Sequence, residues 1–97
     1  MAREYRWDTA SVTGTSTYST TDKLTLTFTK LKHIDSLKDV QLTAVGTYMA
    51  QPASVSGNTV KVKLVKAKGS TVGLGFDEVA NATDVSDTTV YGIARGW

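Results

Sequence analysis

Residues 53–64 read ASVSGNTVKVKL, and this stretch decides the fold class. Two runs that favour extended strands flank Gly57-Asn58, a pair that tolerates the positive φ angles of a tight hairpin turn. After the turn, the run Val60-Lys61-Val62-Lys63-Leu64 alternates apolar and charged residues, so its three apolar side chains share one face of a strand. The stretch therefore predicts an antiparallel hairpin with one buried and one solvated face.

The same signals continue on both sides of this hairpin. Residues 23–31, KLTLTFTKL, alternate leucine or phenylalanine with polar residues and predict a second half-buried strand. Residues 40–49 and 88–95 form mostly apolar runs, which are typical of central strands. The threonine-rich run 10–18 predicts a polar strand at a sheet edge, where it can pair with a neighbour.

The connections carry turn signals instead of strand periodicity. Residues 33–37 predict a short helical turn, residues 69–76 a glycine-rich bend, and residues 77–87 an irregular or helical segment. Six or seven short strands separated by such turns indicate an all-β fold, an antiparallel two-sheet sandwich. A small β-barrel is the alternative architecture.

With 97 residues the chain is predicted to be a single domain, residues 1–97, in which residues 1–18 form an edge strand or an assembly arm. A domain of this size buries a modest fraction of its surface, which favours association into a homo-oligomer. Because the chain has no cysteine, disulfides and thiolate metal sites are excluded.

The N-terminal residues 1–8 are charged where a secretory signal needs an apolar run, and no stretch approaches the ~18 apolar residues of a membrane span. We therefore expect synthesis in the cytoplasm without a signal peptide, and no membrane partner.

The sequence has no recognisable catalytic motif. Its one histidine, His33, has no nucleophile at a motif spacing, and no serine lies in a Gly-x-Ser-x-Gly elbow. The acidic cluster of residues 77–87 matches no calcium-binding loop, and the glycines of residues 69–75 are not followed by the lysine of a phosphate-binding loop. These absences predict a protein without enzymatic activity, cofactor or metal.

The formal net charge is only +2, but the charges are segregated. The basic group comprises Lys61, Lys63, Lys66 and Lys68, and the acidic group comprises Asp77, Glu78, Asp84 and Asp87. Blocks of opposite sign suit contacts between neighbouring subunits, although two solvated surfaces would give the same pattern. The low net charge argues against nucleic-acid binding.

Aromatic side chains supply the candidate binding residues. Phe28 and Phe76 fit core positions, whereas the tyrosines and tryptophans lie near termini, turns or strand ends, Tyr18 among them. Such residues anchor protein interfaces and also stack on sugars. The predicted binding residues are Tyr5, Trp7, Tyr48, Tyr91 and Trp97.

The order of strand signals resembles that of H-type lectin-like sandwiches, which also occur as modules of bacteriophage structural proteins. The resemblance rests on LTLTFTKL at 24–31, DVQLTAV at 39–45, ASVSGNTVKV at 53–62 and VYGIARG at 90–96. It implies a sandwich that associates into trimers or hexamers and binds sugars near subunit junctions. The short, cysteine-free chain, rich in threonine, serine and valine, is also similar in character to capsid decoration proteins.

These features predict a non-enzymatic structural protein, a phage or virus-like particle component in the capsid decoration or tail-associated class. Its expected partners are further copies of itself, for instance in a trimer, and a larger protein lattice such as a capsid. The alternative is a carbohydrate-binding module that uses Trp97, Tyr48 or Tyr91 as a stacking platform.

Overall fold

The computed structural model describes residues 4–67 and 76–97, and within them the chain forms seven strands and one short 3-10 helix, Leu37–Asp39. The strands are β1 (Arg6–Thr13), β2 (Leu24–Thr27), β3 (Val40–Val45), β4 (Met49–Ser56), β5 (Thr59–Ala67), β6 (Phe76–Glu78) and β7 (Thr89–Gly96). All their pairings are antiparallel. The predicted all-β class is confirmed.

The strands divide into two sheets. Sheet A has the order β1-β7-β3, and sheet B has the order β2-β5-β4, with β6 paired to the far end of β5. Strand β1 of sheet A lies next to β2 of sheet B, and β3 lies next to β4. The arrangement fits the predicted two-sheet sandwich.

The core is filled by the alternating residues of the strands. On β5, Val60, Val62 and Leu64 are fully buried, and Leu24 and Leu26 of β2 lie beside them in register. Sheet A contributes the inward residues of β7 to the same cluster. The period of two that predicted half-buried strands therefore describes the core correctly.

The hairpin predicted at residues 57 and 58 is present. Ser56 pairs with Thr59, so Gly57 and Asn58 form a two-residue connection between β4 and β5. Gly57 has a φ of 58°, in the left-handed region that glycine adopts without strain.

The apolar run 40–49 is not one central strand, as its composition predicted. It forms β3 at an edge of sheet A, then a corner, and then the start of β4 in sheet B. At the corner Gly46 has a φ of 137°, and the Thr47 hydroxyl donates a hydrogen bond to the Asp87 carboxylate. The run 88–95 does form a central strand, β7.

Two aromatic assignments are wrong. Phe76 is 51% exposed, because the short strand β6 pairs only with the end of β5 and leaves this side chain uncovered by other described residues. Tyr18 is only 2% exposed, because its hydroxyl is hydrogen-bonded within the fold and its ring fills the core. Phe28 is buried, as predicted.

In its described part, the N-terminal segment forms an edge strand over Arg6–Thr13, and not over the residues 10–18 that the threonine-rich run indicated. β1 pairs with β7 residue by residue from Arg6 to Thr13. Residues 14–18 then continue beside residues 83–88, where Gly14 donates to the Thr88 carbonyl. Lys68 and most of the predicted glycine-rich bend lie outside the described residues, and the helical turn forms later than predicted, over Leu37–Asp39.

Candidate binding face

The outer surface of sheet A brings together the odd-numbered residues of three strands. Register places Tyr91 of β7 between Ser11 of β1 and Thr43 of β3, and it places Ile93 between Thr9 and Gln41 in the next row. We call this surface the sheet A face. Its residues are Trp7, Thr9, Ser11, Thr13, Gln41, Thr43, Val45, Thr89, Tyr91, Ile93 and Arg95.

The sheet A face is nearly uncharged and partly aromatic. Arg95 is the one ionisable cation among its residues, and no carboxylate belongs to it. Trp7 is 58% and Tyr91 52% exposed, so two large rings are open to solvent. The outer surface of sheet B differs, because Lys61 and Lys63 of β5 point outward there. The two outer surfaces of the domain are thus chemically unlike.

A shallow open depression of ≈ 510 Å³ lies in the middle of the sheet A face. Its lining residues are Thr9, Ala10, Ser11, Gln41, Thr43, Tyr91, Gly92 and Ile93. None of them is charged. The depression therefore offers hydroxyl and amide groups beside a phenol ring and an isoleucine side chain.

The polar side chains of this depression are not engaged with one another. Within the described part of the chain, no hydrogen bond involves the side chains of Thr9, Ser11, Gln41, Thr43 or Tyr91. At the end of the same face, by contrast, the hydroxyls of Thr13 and Thr89 are paired at 3.2 Å. Three hydroxyls, one carboxamide and one phenol are thus available to an external partner.

A cluster of aromatic and charged residues forms beyond the other end of the face. The rings of Tyr5 and Trp97 meet edge to face, with centroids 5.6 Å apart, and the His33 ring lies 4.5 Å from Trp97. The Arg95 guanidinium lies over Tyr5 at 4.4 Å, and the Tyr5 hydroxyl donates to Asp35 at 2.9 Å. Trp97 is half-buried by these contacts, so its ring is held in place by packing.

Four of the five predicted binding residues therefore lie on or beside the sheet A face. Trp7 and Tyr91 belong to it, and Tyr5 and Trp97 adjoin it through Arg95. Tyr48 is separate, because it lies at the corner between β3 and β4 and packs against the core.

The polar residues of the depression were not predicted. Their signal was present, since alternation along β1 and β3 separates Thr9, Ser11, Gln41 and Thr43 from the apolar residues between them. What the sequence did not provide was the pairing of β1 and β3 with β7, which makes these residues neighbours.

The open edge of sheet A at β1 is a second feature of the site. Gly14 donates to the Thr88 carbonyl at 2.8 Å, and hydrogen-bonded pairs alternate along an antiparallel ladder. The even-numbered residues of β1 therefore bond to β7, and the backbone groups of Trp7, Thr9, Ser11 and Thr13 point away from it. The buried Asp8 carboxylate accepts from the Thr9 N–H at 2.8 Å and from the Lys30 N–H at 3.0 Å, which covers only one part of this edge.

The other edges are shorter or interrupted. β4 contains Pro52 and a register shift between Pro52 and Ser54, both of which hinder pairing with another strand. β2 has four residues, β6 three and β3 six. With eight residues in unbroken register and without proline or lysine, β1 is the longest uninterrupted edge strand in residues 4–67 and 76–97.

A polar network ties sheet B to the segment before β2. The Tyr18 hydroxyl donates to Glu78 at 2.6 Å and accepts from the Leu64 N–H at 3.2 Å, while the Lys23 ammonium donates to Glu78 at 2.9 Å. Burial raises the pKa of Tyr18, and its hydrogen bond to Glu78 raises it further. Burial also raises the pKa of Glu78, but the hydrogen bonds from Tyr18 and Lys23 outweigh it, and that pKa is lowered. All of these groups are engaged with one another, so the network is structural.

In the described ranges, no three histidine or acidic side chains cluster closely enough to hold a metal ion. No helix in these ranges has both the length and the apolar character needed to cross a bilayer. Comparison of the chain with protein-family models, with curated protein sequences and with solved structures finds no match.

Proposed function

We propose that the protein is a non-enzymatic assembly protein that associates with other subunits by strand addition at β1. The observation that carries this proposal is the edge of β1, which is long and unbroken and is covered at Asp8, whereas β4 is interrupted and β2 and β6 are short. Edge strands of this kind are templates for pairing with another chain.

The partner that we propose is a second copy of the chain. Antiparallel pairing of β1 with its counterpart would join two three-stranded sheets into one continuous sheet. The outward-facing residues of β1, with Ser11 in the middle, offer backbone N–H and C=O groups, and each hydrogen bond formed would add about 0.5–1.5 kcal/mol. The pairing would not use the Thr9 N–H, because the buried Asp8 carboxylate already accepts from it and from the Lys30 N–H.

The setting that we propose is a phage or virus-like particle, in which the oligomer decorates a capsid or belongs to the tail. What supports this setting is the character of the sequence: a short chain without cysteine, rich in threonine, serine and valine. Mass spectrometry of purified particles tests it, because a structural component has to be present at a constant number of copies per particle.

The substitution Ser11→Pro tests the role of β1 directly. It removes the outward N–H of Ser11 and leaves the ladder to β7 intact, and proline is tolerated at such a position of an edge strand. Its matched control is Ser11→Ala, which removes the hydroxyl and keeps the N–H. We expect wild type and Ser11→Ala to associate in sedimentation-velocity experiments at increasing concentration, and Ser11→Pro to remain monomeric with an unchanged circular dichroism spectrum.

Two results would contradict the proposal. One is a wild-type protein that stays monomeric at high concentration, and the other is an association constant that Ser11→Pro leaves unchanged. The stoichiometry adds detail, since symmetric pairing of β1 with β1 gives a dimer, whereas a trimer would require β1 to pair with β3 of the next subunit around a ring.

A further inference from the structure

Asp8 interrupts the open edge of β1 at one point. It is the one buried acidic residue among those that the structure describes, and it is 8% exposed. Its Oδ1 accepts from the Thr9 N–H at 2.8 Å, and its Oδ2 accepts from the Lys30 N–H at 3.0 Å. Because the backbone groups of Thr9 point away from β7, Oδ1 holds the position that the carbonyl oxygen of an added strand would need. A strand therefore cannot pair with β1 at Thr9, and this position separates Trp7 from the rest of the edge.

The part of the edge that follows Asp8 is open. Within residues 4–67 and 76–97, the outward N–H groups of Ser11 and Thr13 donate to no acceptor, and their outward carbonyl groups accept from no donor. β1 ends at Thr13, and the carbonyl of Thr15 is already bonded to the Val85 N–H at 2.8 Å. On this side of Asp8, the groups available to an added strand are thus those of two residues.

Two-fold symmetry between identical strands then selects the register. Ser11 opposite Thr13 of the partner gives two hydrogen-bonded pairs, and each of these pairs exchanges two hydrogen bonds. Ser11 opposite Ser11 would direct the carbonyl of the partner's Thr13 at the blocked Thr9, and registers that include Trp7 would also bring the partner strand past Thr9. Thr13 opposite Thr13 leaves a single pair, because Ser11 then faces the engaged Thr15.

We propose that Asp8 sets the register in which two copies of the chain pair, with Ser11 of one copy opposite Thr13 of the other and the two-fold axis at Val12. This inference rests on the proposed pairing at β1, and it adds the register and the residue that determines it.

The surroundings of Val12 support this position of the axis. Val12 is half-buried and packs against the core from the inner side of β1. At the axis it would face Val12 of the partner in a non-hydrogen-bonded pair, in which the Cα atoms are about 4.5 Å apart. The uncovered part of this apolar side chain would then be buried against its own counterpart.

Disulfide cross-linking measures the register, and the chain has no cysteine of its own. Ser11→Cys and Thr13→Cys are prepared in the full-length chain, one of them isotope-labelled, then mixed and oxidised under native conditions. Mass spectrometry without reduction identifies which two chains each dimer joins. In the proposed register the two positions are opposite, with Cα atoms about 5.5 Å apart, whereas each position is about 7–8 Å from itself in the partner, beyond the reach of a disulfide. We expect the mixed dimer to exceed either homodimer by at least about tenfold.

Sedimentation velocity on the same samples separates the register from the assembly itself. A predominant Ser11→Cys homodimer in a protein that sediments as a dimer would leave pairing at β1 standing and overturn the register. Monomers that form no disulfide would refute the assembly proposal, and this inference with it. Dimers that form no disulfide at either position would show that the copies associate through another surface, which overturns both.

The role of Asp8 is tested by Asp8→Ala in both cysteine variants. This substitution frees the Thr9 N–H, so the register with Ser11 opposite Ser11 becomes accessible, and we expect the share of the Ser11→Cys homodimer to rise several-fold. Asp8→Val is measured in parallel, because a β-branched apolar side chain suits an inward position of a strand and helps to preserve the fold. The matched control is Asp22→Ala, which removes an exposed carboxylate in the turn before β2 and should leave the ratio of products unchanged. An unchanged ratio in either Asp8 variant, with a native circular dichroism spectrum, overturns the assignment to Asp8.

Discussion

Replacement of Tyr18 by phenylalanine is expected to be among the most costly conservative substitutions in the protein. The Tyr18 hydroxyl donates to the Glu78 carboxylate and accepts from the Leu64 N–H, so one oxygen satisfies two groups of sheet B. The phenylalanine ring would fill the same volume, and the change therefore isolates the contribution of this oxygen.

The expected loss of stability follows from these two contacts. A buried N–H left without an acceptor costs about 1–3 kcal/mol, and a hydrogen bond to a charged group contributes about 1.5–3 kcal/mol. Because Glu78 retains Lys23 as a partner, we expect a loss of about 3 kcal/mol in the free energy of unfolding for the pair of contacts. For a domain of this size, this corresponds to a decrease of roughly 12–24 °C in Tm.

The same hydroxyl predicts a dependence of stability on alkaline pH. Because the pKa of Tyr18 is raised in the folded state, the contribution of its hydroxyl to stability is complete below pH 10.0, the ordinary pKa of tyrosine. Above that pH the unfolded chain loses the Tyr18 proton while the folded chain keeps it. Wild type should therefore lose about 1.4 kcal/mol per pH unit more than Tyr18→Phe does above pH 10.

Urea denaturation followed by tryptophan fluorescence measures both effects, at pH 7 and at intervals above pH 9. The control is Tyr48→Phe, because the Tyr48 hydroxyl makes no hydrogen bond to any described residue. A Tyr18→Phe variant as stable as this control at pH 7, or one that follows the wild-type decrease above pH 10 in parallel, would refute the reasoning.

Three further outcomes are expected in the same denaturation assay. Gly46→Ala should cost about 1–3 kcal/mol in stability from its backbone conformation alone, and more because the added carbon would clash with the Asp87 carbonyl oxygen. Unchanged stability of this variant would contradict the corner geometry. Since the pKa of Glu78 is lowered in the folded state, the contribution of its carboxylate to stability is complete above pH 4.5 and decreases as the pH falls. Glu78→Gln should lack this decrease in stability at acidic pH. The same dependence of stability on acidic pH in wild type and variant would argue against the network. Leu26→Ala should cost about 2–5 kcal/mol, whereas the neighbouring Thr25→Ala on the exposed side should change stability by less than about 0.5 kcal/mol; similar losses would disprove the assigned faces.

The sequence predicted those parts of the fold that depend on near neighbours. The alternation around Val60 and the turn at Gly57 are local properties, so strand, turn and buried face were all correct. The 3-10 helix was displaced by a few residues, because Ser36 caps it from a position that the apolar pattern did not mark.

Features that depend on pairing between strands far apart in the sequence could not be predicted from local patterns. The apolar character of residues 40–45 indicated burial, but the strand lies at an edge because β7 pairs with it on one side only. The composition of β6 likewise gave no sign that Phe76 lies at the end of a sheet. The sheet A face shows both limits of sequence reasoning. Its aromatic residues were identified one by one, but only the register of β7 shows that they are neighbours of Gln41 and Thr43.

The central position of β7 has a consequence for biosynthesis. Every pairing in sheet A includes β7, whereas the pairings of sheet B involve only residues 24–78. On the ribosome, sheet B can therefore form while β1 and β3 still lack their partner. Sheet A then closes in one late step that brings together residues such as Thr13 and Thr89, 76 positions apart, and closing a loop of that length is entropically slow. Until residues 89–96 emerge, the nascent chain exposes the inner side of sheet B. A chain truncated before these residues cannot form sheet A.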